Sequence, residues 1–281
     1  MSLIGATYDS AIAIAERRAN RAGASVYVGR SHAMIERNLM AVRSSTWFVV
    51  FSGFVEPVFY LFAFGFGLGQ LIGGVTDGSG NSVSYAAYIA PALLAISAMN
   101  GAIYDSTWNV FFKMHFNKYY QTVMSTSMGP LDAALGDIAW GLLRGLAYSI
   151  GFMIVLTPMG LVQSWWAILA IPAASLVSFG FSSFGMAITS YMKSFQQMNW
   201  LNMFILPMFL FSGTYYPLSV YPAALQAVIQ AFPLWQGVEL IRGLMLGNLS
   251  IDLLSHVLYF AVMISIGLVF TTKRLSALFL R

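Results

Sequence analysis

The distribution of basic residues constrains the fold of this chain more than any other sequence feature. Six apolar stretches alternate with short connections, and twelve of the fourteen Lys and Arg residues lie in connections of one parity. The connections of the other parity hold only Arg242, and Arg144 lies inside a stretch. Basic connections stay on the cytoplasmic side during membrane insertion. The pattern therefore predicts an all-α, multi-pass protein of the plasma (inner) membrane, with six transmembrane helices and both termini in the cytoplasm.

A helix that crosses a bilayer needs about 20 apolar residues. The candidate spans are residues 47–71, 85–110, 133–157, 165–190, 199–213 and 253–272. The fifth is short and contains Pro207. Only 9% of the residues are charged, against about 25% in soluble domains, which agrees with lipid as the solvent. Residues 72–84 are rich in Gly, Ser and Asn and predict an extracytoplasmic loop.

The segment before the first span, residues 1–46, is predicted to be cytoplasmic. It lacks the apolar core of a signal peptide. Ile35, Leu39 and Val42 recur at helical spacing, which predicts an amphipathic helix that lies in the membrane interface. A simple positive anchor for the first span is the alternative. Residues 47–281 then form the transmembrane domain.

Two connections are more apolar than a loop in water requires. Residues 111–132 carry aromatic side chains at spacings of three and four, which predicts a short helix with an apolar face for a partner or for the membrane surface. Residues 214–250 are interrupted by Pro217, Pro222 and Pro233. Two short helices, about 220–231 and 234–246, fit this region. Neither is long enough to span, so they are predicted to form a re-entrant or interfacial hairpin.

Four ionisable residues lie inside the predicted spans: Glu56, Asp105, Asp137 and Arg144. Such residues are costly in lipid and rarely face it. Each is either a structural polar clamp or part of a pathway or gate. Asp137 and Arg144 share one helix face, about 10 Å apart along the axis. A direct pair would require the arginine to reach back, and partners on another helix fit equally well.

Several kinds of chemistry have no sequence signal here. The absence of cysteine excludes disulfides and thiolate catalysis. There is no phosphate-binding loop ending in Gly-Lys-Ser/Thr, and the three histidines have no metal-ligand spacing. No basic face interleaved with aromatic residues suggests nucleic-acid binding. We therefore expect a chain that is not an enzyme and holds no cofactor or metal of its own.

Two segments resemble a known family. TSMGPLDAALGDIAWGLLRG, residues 126–145, resembles the loop and third helix of type-2 ABC exporter permeases. LFSGTYYPLSVYPAALQAVIQAFPLWQGVELIRGLMLG, residues 210–247, is similar to their fifth helix and re-entrant hairpin. The similar branch contains nodulation lipo-oligosaccharide exporters and daunorubicin-type drug permeases. The resemblance covers about residues 30–275.

The resemblance implies a permease subunit of an ATP-driven exporter that moves an amphipathic, lipid-linked, glycan or drug-like substrate outward. Its implied partners are two copies of an ABC ATPase subunit, which would hold ATP and Mg, a second permease that makes a homodimer, and membrane lipids. The loop before the third helix would dock on the ATPase, through Tyr119, Tyr120, Met124, Thr126 and Gly129. The family often has Thr-Pro at Thr126–Ser127 and an acidic residue near Asn117 or Gln121, and this chain departs from both patterns.

The resemblance also assigns residues at the other end and in the pathway. The acid and base of the re-entrant region fall on Glu239 and Arg242, beyond Pro217. The family lines its route with the first and fifth helices, and the corresponding aromatic candidates are Phe51, Phe54, Phe204 and Phe209.

Two other classes stay open at this stage. An ion-coupled secondary transporter would work without an ATPase and would use Glu56, Asp105 or Asp137 as its proton site. A membrane scaffold or intramembrane enzyme would not transport at all.

Overall fold

The computed structural model describes residues 31–44, 48–76, 80–125 and 128–279; for residues 32–33, 41–44, 48–52 and 54 it describes the backbone alone. Ten helical elements and one short β-hairpin are named here within these ranges. They are α1 (Ser31–Ser44), α2 (Phe48–Tyr60, continued by a π-helical Leu61–Leu68 and by Gly69–Ile72), β1 (Gly74–Thr76), β2 (Ser82–Ser84), α3 (Tyr85–Tyr104, a π-helical Asp105–Asn109 and Val110–His115), α4 (Tyr119–Met124), α5 (Pro130–Leu156), α6 (Ala170–Tyr191, preceded by a 3₁₀ turn Trp165–Leu169), α7 (Met198–Phe211), α8 (Ala223–Gln230), α9 (Pro233–Leu246) and α10 (Asp252–Phe279).

Five helices in the described part of the chain are long and apolar enough to cross a membrane. They are Val55–Ile72, Tyr85–His115, Pro130–Leu156, Trp165–Tyr191 and Asp252–Phe279. The fifth predicted span corresponds to α7, which has 14 residues and a length of about 21 Å. That is shorter than the hydrocarbon core of about 30 Å, so a sixth span through α7 stays a prediction.

A short β-hairpin lies within the loop predicted at residues 72–84. Val75 pairs with Val83 in an antiparallel register, Gly74 with Ser84 and Thr76 with Ser82. Ser84 then caps α3, because its hydroxyl accepts a hydrogen bond from the Ala87 amide at 3.3 Å. We call this end of the bundle the hairpin end and the opposite end, which carries α1 and α4, the α4 end.

Helix α3 lies at the centre of the bundle. Almost all of its residues from Tyr85 to Ala102 are buried, and it packs against α2, α5, α6 and α9. Close packing with α5 depends on small residues, because a Cβ on Gly101 would lie 2.7 Å from the Gly145 Cα. Ser178 of α6 donates a hydrogen bond to the Ala98 carbonyl of α3 at 3.2 Å. Small residues with short hydroxyl bridges are typical of helix packing in lipid.

Helix α3 also corrects the prediction for its own end. It continues to His115, five residues beyond the predicted boundary at 110 and into the predicted loop 111–132. Lys113, which the charge pattern places in a solvated connection, is a buried residue of this extension. The physical reason is a buried carboxylate on α5, described below.

The two short helices predicted from the proline pattern are present as α8 and α9, within about three residues of the predicted ends. Helix α9 packs against α3, α6 and α10. Helix α1 is present in the segment predicted to be amphipathic, and it packs against α5. Whether α1 lies in the membrane interface, and whether α8 and α9 enter the membrane, stay predictions.

Candidate functional site: a buried carboxylate beneath α4

Asp137 of α5 is the centre of a polar cluster at the α4 end. Its side chain is almost completely buried, and its Oδ1 lies 2.6 Å from the Nζ of Lys113. Lys113 comes from the last turns of α3 and is itself buried. A charge taken out of water is tolerated when it is paired and hydrogen-bonded. This ion pair therefore joins the end of α3 to the beginning of α5.

The second partner of the carboxylate comes from α4. The hydroxyl of Tyr120 donates a hydrogen bond to Asp137 Oδ2 at 2.5 Å, and the Tyr120 ring has no solvent-exposed surface. The ring also stacks on Phe279 near the end of α10, with centroids 6.1 Å apart. The short helix α4 is therefore held by two buried side chains, Tyr120 and Val123, rather than lying loosely on the surface.

Helix α1 completes the cluster from a third direction. The amide of Asn38 donates to Asp137 Oδ1 at 3.4 Å, and the guanidinium of Arg37 lies 4.1 Å from the centroid of the Tyr119 ring. Gly136 allows α1 to approach, because a Cβ there would lie 2.6 Å from the Met34 Cβ. One carboxylate thus connects α1, α3, α4 and α5.

The two tyrosines of α4 are kept neutral. Burial, and next the negative charge of Asp137, raise the pKa of Tyr120 well above its ordinary value of 10.0. Burial also raises the pKa of Tyr119, an effect that the Arg37 guanidinium opposes. Tyr120 therefore stays a hydrogen-bond donor throughout the physiological pH range, which is what the acceptor-only carboxylate of Asp137 requires.

A second buried ion pair lies about two helical turns farther into the bundle. Arg144 Nη1 of α5 lies 2.9 Å from Asp105 Oδ1 of α3. The amide of Asn109 donates to the same oxygen at 3.1 Å. Asp137 and Arg144 share one face of α5, as expected, but each finds its partner on α3. The sequence left open whether Asp137 and Arg144 pair with each other or with another helix, and the structure shows that both pair with another helix.

A third polar cluster closes the hairpin end. Arg242 of α9 pairs with Glu239 one turn earlier. Its Nη2 donates to the Gly213 carbonyl at 2.7 Å, and its guanidinium lies 4.1 Å from the centroid of the Tyr88 ring. Gly213 has a φ of +67°, a conformation that glycine adopts without strain. The acid and base predicted for this region are therefore together, and they fasten the turn after α7 to α3 and α9.

Aromatic rings join α2 to α7 near the same end. Tyr60 and Phe209 have ring centroids 5.7 Å apart. Tyr215 packs against both Phe64, at 4.9 Å, and Phe209, at 5.7 Å. Of the aromatic candidates for the pathway, Phe209 belongs to this contact and Phe204 is exposed on α7. The side chains of Phe51 and Phe54 lie outside the described residues.

The remaining candidates are placed less centrally. Glu56 is exposed on α2, and Pro217 begins the 3₁₀ turn before α8. Met124 is half-buried in the apolar cluster around Tyr120, and Gly129 is the buried residue immediately before α5. Thr126 lies outside the described residues. The docking role of Tyr120 stays a prediction, although its ring is enclosed within the chain. Gln121 and Thr122 of α4 and Ser125 directly after it are exposed.

Sequence reasoning missed several residues of these clusters, among them Lys113, Asn38, Asn109, Tyr88 and Gly213. Lys113 and Asp137 are separated by 24 positions and Asn38 and Asp137 by 99. No local pattern reports such pairs. The sequence held one signal for the Lys113–Asp137 pair. A carboxylate inside a helix bundle is costly unless it is paired, and a lysine lies at the end of the preceding helix.

The long apolar helices and buried charge pairs define a polytopic helical membrane protein. The sequence model of the ABC-2 type transporter family matches residues 31–246, and the chain belongs to that family. Nodulation protein J of Rhizobium leguminosarum bv. trifolii is 29% identical over 251 residues, which cover 89% of this chain and 94% of that protein. Nodulation protein J of Sinorhizobium fredii is 31% identical over 245 residues, which cover 84% and 91%. Nodulation protein J of Azorhizobium caulinodans is 24% identical over 243 residues. The chain is thus the membrane permease component of an ABC transporter and not a catalytic subunit.

Proposed function

We propose that this chain is the permease of an ATP-driven exporter, and that α4 transmits the movement of a separate ATPase to the transmembrane helices. The observation that carries the proposal is the attachment of α4 through Tyr120 to the buried Asp137, which also holds α1, α3 and α5. A short helix anchored this way cannot shift without moving the ends of its neighbours. The family membership supplies the context in which such a helix meets an ATPase.

The complex has two ATPase subunits and two copies of the permease. ATP and Mg are held by the ATPase subunits, so this chain needs no cofactor. ATP changes the conformational equilibrium of the complex only through a difference in affinity between its two states. The α4 helix and its buried carboxylate carry that difference into the membrane domain.

The α4 end faces the cytoplasm of the inner membrane and the hairpin end faces outward, with both chain termini inside. Basic residues at the α4 end, such as Lys118 and Lys193, support this orientation. α7 provides the sixth span, and α8 and α9 form a re-entrant hairpin at the outer end.

Because the chain has no cysteine, a single introduced cysteine reports on which side of the membrane its position lies. With an impermeant maleimide on intact cells, we expect Ser219→Cys to react and Gln121→Cys to react only after permeabilisation; the reverse pattern refutes the orientation.

Two contacts hold the outer end of this chain together. The rings of Tyr60 and Phe209 join α2 and α7, and Arg242 holds the carbonyl of Gly213 between α3 and α9. Export requires both contacts to open. The exported substrate is amphipathic, because a route bounded by lipid-exposed aromatic helices offers apolar surface along its length.

An ion-coupled secondary transporter fits the described residues less well. A proton-carrying carboxylate must gain and lose a proton during transport, yet Asp137 is paired with the buried Lys113 and Asp105 with the partly buried Arg144. Protonating either one leaves an uncompensated charge inside the bundle. The paired carboxylates therefore favour fixed structural charges over a proton site.

The test is ATPase stimulation in the reconstituted complex. We expect Gln121→Lys, on the exposed side of α4, to reduce permease-dependent ATPase stimulation and transport by about tenfold, since a misplaced charge at an interface costs more than about 1.4 kcal/mol. Ser219→Lys adds the same charge at an exposed position of the hairpin end and is the matched control. Equal stimulation in the two variants overturns the assignment of α4.

A further inference from the structure

A polar pocket of about 820 Å³ lies at the hairpin end, between α9 and the beginning of α10. Its wall includes Gln230 at the end of α8, Gln236 and Glu239 of α9, and Asp252 and His256 of α10. Helix α10 has 28 residues and a length of about 42 Å, which exceeds the hydrocarbon core of about 30 Å. Its first turns, and the pocket with them, therefore lie at the level of the lipid head groups.

His256 offers one ring nitrogen to this pocket, although the residue is only 7% exposed. The amide nitrogen of Gln236 donates to the Gln230 carbonyl at 2.7 Å, so Gln236 Oε1 is the atom that meets His256 Nδ1. Because an amide oxygen only accepts, Nδ1 carries the proton, and Nε2 of the neutral ring is an acceptor. Nε2 has no hydrogen-bond partner among the described residues, yet it is not sealed off as the unpartnered Trp235 Nε1 and Arg242 Nε are. It is therefore within reach of a molecule in the pocket.

Two carboxylates add further acceptors to the same wall. Arg242 pairs with one oxygen of Glu239, and 32% of the Glu239 side chain remains exposed. Asp252 is exposed, and the Ser250 hydroxyl donates to its Oδ2 at 3.3 Å. The Ser255 hydroxyl donates to the Asp252 carbonyl at 2.6 Å. These neighbouring donors are thus used within the chain, whereas both carboxylates keep accessible oxygen.

The charges of the lining select a cationic ligand. Two carboxylates and one guanidinium, Glu239, Asp252 and Arg242, leave a net formal charge of −1 with the histidine neutral. A primary ammonium group has three N–H donors and no acceptor, so it matches a wall of acceptors with this charge. A quaternary ammonium group has no N–H to donate. An uncharged hydroxyl gains less, because hydrogen bonds between ionised partners are roughly twice as strong as neutral ones.

An apolar groove of about 500 Å³ adjoins the pocket, and Ser250 and Leu253 line both. Its other walls come from the beginning of α6 and from α9, through residues such as Leu169, Leu176 and Leu244. Leu169 is exposed, so the groove is open at the surface of a helix bundle that spans a membrane. An acyl chain in this groove brings its own head group to the polar pocket.

We propose that the pocket between α9 and α10 binds the primary ammonium group of a membrane lipid. The carboxylates of Glu239 and Asp252 and the Nε2 of His256 accept from the ammonium group, and an acyl chain lies in the groove beside Leu253. The lipid phosphate stays in water at the mouth of the pocket, because Arg242 is buried and already paired. This site is separate from α4 and needs no ATPase.

The test uses the full chain in phosphatidylcholine nanodiscs that contain a trace of phosphatidylethanolamine with a diazirine in its acyl chain. Photolysis followed by peptide mass spectrometry locates the label. We expect labelling within residues 169–176 and 240–257, which include the walls of the groove. The excess of phosphatidylcholine, a quaternary ammonium lipid, does not prevent this labelling. Absence of the label from both segments overturns the proposal.

Competition by unlabelled lipids identifies the group that is recognised. Phosphatidylglycerol supplies hydroxyl donors with a negative charge, and galactosyl diacylglycerol supplies hydroxyl donors without charge. We expect unlabelled phosphatidylethanolamine to compete at about one tenth of the mole fraction that either of these lipids requires. Equal competition by the three lipids overturns the proposal.

Substitutions at Asp252 separate the charge from the fold. Asp252→Asn removes the charge from an exposed position, and its side-chain oxygen can still accept from Ser250. We expect this variant to reduce the labelling about tenfold. Asp252→Glu is the matched control, because it keeps the charge and retains the labelling. Undiminished labelling in Asp252→Asn contradicts the assignment.

A double substitution tests the histidine. His256→Phe with Gln236→Leu removes the acceptor Nε2 and both partners of the hydrogen bond that orients it, so neither partner is left behind unpaired. We expect a loss of labelling of about tenfold here as well. Labelling equal to that of the native chain removes His256 from the site and overturns the proposal as stated.

Free ethanolamine tests whether the amine must belong to a lipid. It carries the same primary ammonium group without a chain for the groove, and we expect its addition to the buffer to leave the labelling unchanged. Displacement of the probe by ethanolamine identifies a soluble amine as the occupant and overturns the assignment to a lipid. No ATPase is present in this assay. A failure of the lipid site therefore leaves the α4 coupling proposal intact, and a failure of the ATPase assay leaves the labelling result intact.

Discussion

Removing one partner of the Asp137–Lys113 pair tests whether the buried carboxylate holds the α4 end together. In Asp137→Leu, Lys113 keeps its charge in a buried position and loses the oxygen that lies 2.6 Å away. Breaking a buried ion pair in this way costs about 3–5 kcal/mol. Lys113→Met leaves the carboxylate unpaired, although Tyr120 and Asn38 still donate to it, so its cost lies at the lower end of that range.

The double variant Lys113→Met with Asp137→Leu provides the sharper measurement. Replacing a buried pair with apolar residues of similar volume is often neutral or stabilising, so we expect the free energy of unfolding to return close to that of the wild type. The assay is unfolding by titration with a denaturing detergent in mixed micelles, followed by circular dichroism. The double-mutant cycle then gives a coupling energy of about 6–8 kcal/mol, which is the sum of the two single-variant costs, and a value below about 0.5 kcal/mol refutes the reasoning. If Asp137 also transmits movement, the stable double variant still loses ATPase stimulation.

Three further predictions concern other contacts. Gly136→Ala places a Cβ 2.6 Å from the Met34 Cβ, so we expect a loss of about 1–3 kcal/mol and faster proteolysis within α1; Gly67→Ala, which has open space around most of the new atom, is the control. Arg242→Ala leaves the Gly213 carbonyl without its donor and lowers the stability of the hairpin end by about 1–3 kcal/mol, whereas unchanged hydrogen exchange in α9 contradicts this role. Because the pKa of Tyr120 is raised above its ordinary value of 10.0, only the unfolded chain loses that proton just above pH 10. Stability therefore falls as the pH rises through this range, and Tyr120→Phe removes part of the slope in detergent-unfolding measurements at several pH values.

The helices whose ends were predicted well are those with strong local signals. Proline residues mark the beginning of α9 at Pro233 and of α5 at Pro130, where the missing N–H is not needed. Pro222 immediately precedes α8. The positions of α8 and α9 could therefore be predicted from the sequence. The coarse membrane assignment followed from the long apolar stretches.

The end of α3 could not be predicted, because a charged residue near a helix end can lie in a solvated loop or be buried against an opposite charge. Lys113 fits a solvated cytoplasmic loop by its type and its place in the chain, yet it is buried against Asp137. The same holds for Tyr120, whose aromatic ring suggests a docking surface and whose hydroxyl is used inside the chain. Only the three-dimensional arrangement decides between the two placements.

The π-helical segments in α2 and α3 also left no usable sequence signal. Leu61–Leu68 has an alternating series of glycines that fits close packing and bending equally well. In the structure Gly65 faces Ala86 of α3, where a Cβ would lie 3.3 Å from the alanine Cβ. Asp105–Asn109 has no glycine or proline at all.

Cross-linking from α4 to the ATPase measures the central claim most directly. The native chain has no cysteine, so Gln121→Cys introduces one reactive thiol on the exposed side of α4, and Ser219→Cys introduces one at the hairpin end. With a short bismaleimide on the purified complex, the account predicts that Gln121→Cys becomes linked to the ATPase and that the linked fraction changes when ATP binds. The account is contradicted if the ATPase is linked through Ser219→Cys, or if Gln121→Cys remains unlinked in a complex that hydrolyses ATP.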